Sequence, residues 1–453
     1  MNHISQEKIV YLILGLMLIV HSFVLTKLIF FPYPELFIYP YLANNGLKPY
    51  SEILDQHFPG LLLLPVNFNN LGMTTPEMAR VWLIATIILT HILLFICAKV
   101  LLKSSRKALM VNLLYLIWQP FFDGWVLWID TFLPLFLLPA FYFTQRKKLF
   151  LSGIFLGLAI VFKQTIIPLS GFLFIYFIIS KHSIKSIFYY SLGLLTPIVI
   201  MLLYILGIGV FWDFWYWNLV FNLFVYAKSG AKSFVQPGFL TRIVFVYIFS
   251  LLPLIFRSRN KLILLYIFLL GSSVSIIDRA DFVHLQPSLP FVLLATSFGL
   301  LAIKNRKIII SIILIYSVVA IWWQVTFYKG HLGDKVFFFD EQSLSVSNKI
   351  KQNTSFHERI FIYGAVSHLY QMSNTLPAGN IFVFQFPWFL KVTEDRILAG
   401  LIQDKPKIIV YDSEYNIEGV KLSEFSKKIY QYIESNYKKI DNVNSIQILQ
   451  RIY

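Results

Sequence analysis

Five basic clusters, Lys103–Lys107, Arg146–Lys148, Lys181–Lys185, Arg257–Lys261 and Lys304–Lys307, interrupt long apolar runs in the chain up to Tyr328. Carboxylates in the same stretch are few. Glu35, Glu52, Asp55, Glu77, Asp123, Asp130, Asp213, Asp278 and Asp281 fall between the clusters, and Glu7 stands apart at the N-terminus. Apolar runs of about 20 residues match the hydrocarbon thickness of a bilayer. Lys and Arg in short loops mark the cytoplasmic side. The alternation therefore confines the chain to a polytopic helical architecture, basic loops inside and carboxylates outside, with the N-terminus cytoplasmic.

With 57% hydrophobic and 14% charged residues, the chain has too little polar surface for a soluble protein of this size. The net charge of +16 belongs to the inner loops, where it faces anionic lipid, and is no nucleic-acid signal. A single cysteine, Cys97, excludes an intrachain disulfide and leaves no cysteine metal site. The first run, Ile9–Phe31, is too long for a signal-peptide core and has no small-residue cleavage site after it, so a retained helix is expected.

Residues 32–76 are expected to form a long outer loop with short interfacial helices near Leu36–Asn45 and Gly60–Leu71, followed by a helix over roughly Pro76–Leu102. Residues 108–144 and 149–180 each have basic clusters at both ends, so each must cross an even number of times. The breaks fall at Phe122-Asp123-Gly124 and Lys163-Gln164, which predicts two short helical hairpins. A helix near 186–207, an outer loop over 209–239 and helices near 240–256, 262–277, 285–303 and 308–328 complete a count of about eleven. Beyond residue 328 the acids return and apolar runs shrink to strand length, at Arg359–Tyr363, Ile381–Phe384, Lys407–Tyr411 and Ser445–Leu449. Helical patterns at Glu341–Lys351 and Lys421–Asn436 separate them. The expected organisation is a transmembrane domain over 1–328 and a small α/β domain over 329–453 on the outer surface.

The outer loop carries the strongest pattern. It reads Pro34-Glu35, then Gly46-Leu47-Lys48-Pro49-Tyr50, then Asp55-Gln56-His57-Phe58-Pro59-Gly60. Together with Phe162-Lys163-Gln164-Thr165, Arg279-x-Asp281-x-x-His284-x-x-Pro287 and Ile360–Gly364, this layout resembles the polytopic GT-C superfamily of glycosyltransferases. It is nearest to the protein-mannosyltransferase-like branch (glycosyltransferase family 39-like), which includes the lipid A aminoarabinose transferases. The resemblance spans most of the chain through short motifs. It departs at one point, where many relatives have two adjacent acids and this chain has Pro34-Glu35.

The resemblance implies an integral membrane glycosyltransferase that moves a hexose or pentose, with inversion, from a polyprenyl-phosphate carrier to a lipid, glycan or protein acceptor on the outer face. It also implies that an acid in the first outer loop is the base, which makes Glu35 the candidate. A carboxylate there removes the acceptor hydroxyl proton as the oxygen attacks the anomeric carbon. The leaving group is already a phosphate and calls for cations rather than a strong acid.

Asp55 is the second candidate catalytic acid, orienting the acceptor or Glu35; a helix cap at His57–Leu64 explains it equally well. Tyr50 and His57 are assigned to the acceptor cavity. A mixed Glu35, Asp55 and His57 metal site has no supporting spacing, so no metal residues are assigned and a divalent cofactor stays open. Lys163 interrupts an apolar stretch at membrane depth, which marks it as a donor-phosphate ligand unless it snorkels to the interface. Arg279 and His284 are the other phosphate candidates, against a solvated turn in which Arg279 pairs with its neighbouring acids. Asp130 is a costly charge assigned to the cavity, whereas Asp123 fits a hairpin turn. The aromatic run 211–217 is expected to anchor at the headgroups. The competing class, a polytopic transporter or flippase of envelope glycolipids, often shows internal repeats and broken helices in both halves, whereas this chain shows no repeat and breaks in its first half alone.

Overall fold

The computed structural model describes residues 3–229, 237–256, 262–277 and 279–452. The basic cluster Arg257–Lys261 and Asp278 lie outside the described residues. Two compact units emerge. The first comprises Met1–Phe31, Ala79–Met201 and Lys232–Lys335, and the second Pro32–Met78, Leu202–Ala231 and Val336–Tyr453.

Among the described residues, the helices Gln6–Lys27, Pro76–Leu102, Ile184–Gly207, Gly238–Ile255 and Arg306–His331 are long and apolar enough to cross a membrane. Shorter apolar helices run over Leu149–Phe162, Gln164–Ile179, Ile263–Ile277 and Leu289–Leu300. In the first unit, every residue of Leu289–Leu300 is buried, as expected for a helix apolar on all faces. Phe141, Phe268 and Phe291 pack ring to ring with centroids 5.3–5.6 Å apart. Gly153 and Gly157, spaced G-x-x-x-G, let Leu149–Phe162 cross Ile184–Gly207 at backbone contact: a Cβ on Gly153 would overlap the Tyr190 carbonyl oxygen.

Both hairpin breaks fall where the sequence places them. After the helix Ser105–Gln119, a wide turn Pro120–Gly124 puts Asp123 at φ 54° before the four-residue helix Ile129–Phe132. Lys163 is extended (φ −155°, ψ 117°) between Leu149–Phe162 and the 3-10 turn Gln164–Ile166. A buried polar chain, not foreseen from the sequence, fastens three helices. His21 Nδ1 lies 2.8 Å from His91 Nε2, His91 Nδ1 lies 2.8 Å from Asn112 Oδ1, and His21 Nε2 lies 2.9 Å from the Gln119 amide.

The second unit contains a five-stranded sheet in the order Leu376–Pro377, Arg359–Tyr363, Ile408–Asp412, Ile446–Arg451, Tyr437–Val443. The first three strands are parallel, with Phe361 opposite Ile409, and the last two pair antiparallel. Helix Pro387–Asp404 supplies the crossover that parallel pairing requires. The run Ile381–Phe384, although of strand length, contributes a single bridge from Phe382 to Ile53. That bridge fastens residues 52–54 to the run: Leu54 N–H donates to the Phe382 carbonyl at 2.9 Å, and Phe382 N–H to the Glu52 carbonyl at 2.8 Å.

Candidate functional site

The chemistry-bearing residues fall into two clusters, one in each unit. In the first unit the breaks described above put polar side chains where apolar helices would otherwise run on. Asp130 Oδ2 accepts from Lys163 Nζ at 2.6 Å and from His284 Nδ1 at 3.0 Å. Lys163 Nζ and His284 Nδ1 are 3.1 Å apart, so the three atoms form a tight triangle. Asp130 is fully buried and the Lys163 side chain is 6% exposed. A lysine snorkelling to water is therefore not what the fold contains. The far nitrogen of His284 lies 3.6 Å from Asp281 Oδ1, and the other oxygen of Asp281 meets Arg279 Nε at 3.0 Å. Lys163, Asp130, His284, Asp281 and Arg279 thus make one chain of contacts that ends on a half-exposed guanidinium. Both readings of Arg279 keep a footing, because it does pair with its neighbouring acid. Asp123 occupies the turn, where Gln286 Nε2 donates to its carbonyl at 2.8 Å.

In the second unit, hydrogen bonds fix several residues of the segment from Glu35 to His57. Glu35 opens the helix Glu35–Asn44 and is half-buried. Tyr39, one turn on, is buried and donates its hydroxyl to Asp55 Oδ1 at 3.0 Å. Asp55 also accepts from the His57 backbone N–H at 3.1 Å and faces His57 Nδ1 at 3.0 Å. Burial and then the charges of Asp55 and Glu35 push the Tyr39 phenol up from its usual range, which keeps it a donor. Gly46 takes φ 91°, a conformation that glycine alone adopts without strain. Tyr50 sits at φ 65°, where a bulky side chain is strained, and its hydroxyl donates to the His57 carbonyl at 2.9 Å. Burial and Asp55 raise the Tyr50 phenol too.

Asp55 is thus held as a ligand of His57 and Tyr39, beyond what a helix cap would use. The aromatic run is divided: Trp212 and Trp215 are exposed, while Phe214 is buried with its ring 5.1 Å from Tyr50 and 5.4 Å from Phe58. Sequence reasoning missed Tyr39 and Asn222, whose amide donates to the Gln56 carbonyl at 3.0 Å. The four-residue spacing of Tyr39 from Glu35, which stacks them on one helix face, was the available signal. Among the described residues, no group of three His, Cys, Asp or Glu side chains could hold a metal ion.

No protein-family model and no curated protein matches the sequence. Among solved structures, the fold is similar to that of ArnT from Cupriavidus metallidurans, a structure bound to undecaprenyl phosphate. The two share a TM-score of 0.65 over 98% of each chain at 13% identity. The chain therefore has the polytopic helical fold with a small sheet region that the resemblance to GT-C glycosyltransferases implied, and it is a membrane protein.

Proposed function

We propose that the protein is a membrane glycosyltransferase that takes a sugar from a polyprenyl-phosphate donor. The observation that carries this reading is the gathering of Lys163, His284 and Arg279 into one contact network with Asp130 and Asp281. Lys163 and Arg279, held in place by Asp130 and Asp281, are prepared to receive a phosphate without reorganising. The fold likeness to a chain bound to undecaprenyl phosphate supports the same class of lipid. Asp130 Oδ1, buried and without a hydrogen bond among the described residues, is an acceptor for a ligand hydroxyl.

In this reading the acceptor oxygen attacks the anomeric carbon in line, with inversion, as the bond from that carbon to the phosphate oxygen breaks. The hydroxyl proton passes to a base, and the lipid phosphate leaves with one more negative charge, which Lys163 and Arg279 balance. Transfer takes place on the outer face of the inner or plasma membrane, to a lipid, glycan or protein acceptor. The sugar is a hexose or a pentose. The test is transfer by purified protein from a panel of polyprenyl-phosphate sugars to a membrane-extract acceptor. Radiolabelled product is the expected result. Failure with every donor, together with donor movement across vesicles, would favour a flippase.

A further inference from the structure

We propose that the first unit carries a binding site for an anionic glycerophospholipid, on the side of the membrane where the basic clusters lie. The site is independent of the transferase reading.

A cleft of about 230 Å³ opens at the starts of two helices, Leu149–Phe162 and Ile184–Gly207, and its lining includes Lys147, Lys148, Phe150, Leu151, Ser186 and Tyr189. All of these residues belong to the first unit. A single water needs about 10–15 Å³ of such space, so the cleft has room for a phosphate with its glycerol. The two helices touch one turn further along. A Cβ on Gly153 would overlap the Tyr190 carbonyl oxygen, and one on Gly193 the Phe150 carbonyl oxygen. Backbone contact so close to the cleft holds its two walls at a fixed separation.

The lining is cationic and uncompensated. Among the described residues, neither lysine side chain has an ion pair or a hydrogen bond, and the sequence has no Asp or Glu between Asp130 and Asp213. Leu149–Phe162 begins after Lys148 with no side-chain cap, so no side chain satisfies the N–H groups of its first turn. A helix start by itself is an ordinary feature. Here it opens into a cavity beside two unpaired ammonium groups, a combination of N–H donors and full positive charge that suits a phosphate. Ser186 and Tyr189 add hydroxyls. That of Ser186 lies 2.9 Å from the Ser183 hydroxyl, and that of Tyr189 has no partner among the described residues.

A plainer account covers part of this. Lys103, Lys147 and Lys181 all follow helix ends in the left-handed conformation, at φ 51°, 57° and 54°. Charge at an inner helix end, favoured by the positive-inside rule and by the helix dipole, therefore explains why a lysine stands at 147. It does not explain a cavity beside that lysine, walled by a second helix.

The surface beyond the cleft makes the ligand a lipid rather than a soluble phosphate. Tyr189, Leu192, Leu195 and Val199 follow one another on one face of Ile184–Gly207 and are exposed, as are Phe150 and Leu151. A phosphate seated in the cleft leaves its acyl chains against that apolar strip. Charge then selects among lipids. A zwitterionic headgroup brings an ammonium toward two lysines, whereas an anionic one brings hydroxyls or a further phosphate.

The experiment is native mass spectrometry of the full-length protein in detergent, titrated with phosphatidylglycerol, phosphatidylcholine or glycerol 3-phosphate. Wild type, Lys147→Gln/Lys148→Gln, Ser186→Phe and Lys103→Gln are compared, all checked for wild-type thermal unfolding. Phosphatidylglycerol should bind wild type at least about tenfold more tightly than phosphatidylcholine, and millimolar glycerol 3-phosphate should not displace it. The double lysine variant should lose roughly thirtyfold in affinity, at about fivefold per charge. Ser186→Phe, which fills the cleft without changing charge, should lose the same binding event. Lys103→Gln, which removes a charge from the same side outside the cleft, should stay within about twofold of wild type. Unchanged affinity in the double variant and in Ser186→Phe would overturn the site. An equal loss in Lys103→Gln would reduce it to diffuse attraction, and displacement by glycerol 3-phosphate would make the ligand a soluble anion; either result overturns the proposal. A photoreactive phosphatidylglycerol on wild type needs no variant to fold: adducts on residues 147–151 or 186–199 are expected, and adducts confined to other segments would refute the assignment.

Discussion

Replacing Lys163 with methionine tests the buried cluster of the first unit most directly. Methionine keeps most of the stem volume and removes the charge. Asp130 Oδ2 then loses its donor at 2.6 Å and, of its two partners, retains His284 at 3.0 Å. At an effective dielectric constant of about 20, opposite unit charges separated by 2.6 Å attract by roughly 6 kcal/mol before desolvation is counted. Removing one member of a buried pair usually costs about 3–5 kcal/mol, because the other charge stays behind uncompensated. Lys163→Met should therefore destabilise the protein by that amount. Asp130→Asn should do likewise, and the double variant should cost well below the sum, with a coupling of about 2–3 kcal/mol. The assay is denaturant unfolding in detergent micelles followed by tryptophan fluorescence. A cost below about 1 kcal/mol with additive effects would refute the reasoning, since that is the worth of a solvated surface pair.

Arg279→Ala should weaken binding of polyprenyl phosphate by about 2 kcal/mol, roughly thirtyfold, through loss of a charge-assisted contact. Calorimetric titration showing unchanged affinity would return Arg279 to a role in its turn. His368 is buried in the second unit, its Nε2–H donating to the Phe338 carbonyl at 2.6 Å, and burial lowers its pKa from 6.5 to about 4 despite that bond and Asp340. Between those values the unfolded chain carries the proton and the folded one does not, so the unfolded state binds more protons and stability rises with pH. The contribution is complete above about 6.5 and is lost as pH falls toward 4, on the order of 3 kcal/mol. His368→Gln should flatten the dependence of thermal unfolding on pH in that window. Gly153→Val should cost roughly 1–3 kcal/mol or more by forcing two helices apart. Gly171→Val, where a side chain meets open space, serves as the control in the same unfolding measurement.

The Asp55–His57 pair shows how far local sequence reaches. Two residues apart, they were visible together, and a cap and a catalytic role were both compatible with the position of Asp55. What the fold adds around them is the Tyr39 hydroxyl, brought in by the helix before the loop, and the Phe382 backbone, more than 300 residues further along. No local pattern encodes such a pairing. The same holds for the buried chain from Asn112 through His91 and His21 to Gln119: each residue is an ordinary polar break in an apolar run, and its partner is named by helix packing.

Periodicity and charge alone determined what depends on solvent and on backbone near neighbours. The helix Pro76–Leu102, the breaks at Asp123 and Lys163 and the strands near Arg359–Tyr363 and Ile408–Asp412 all follow from where apolar runs begin, fail and shorten. Bilayer thickness and the pleat period act within a segment, so the segment records them. Tertiary structure alone decided which charges would meet. Lys163 was marked as expensive by its surroundings, but a buried charge persists through its partners. Asp130 and His284 lie 33 residues before and 121 residues after it in sequence. Distances between side chains far apart along the chain are set by how helices pack, and packing is a property of the whole fold.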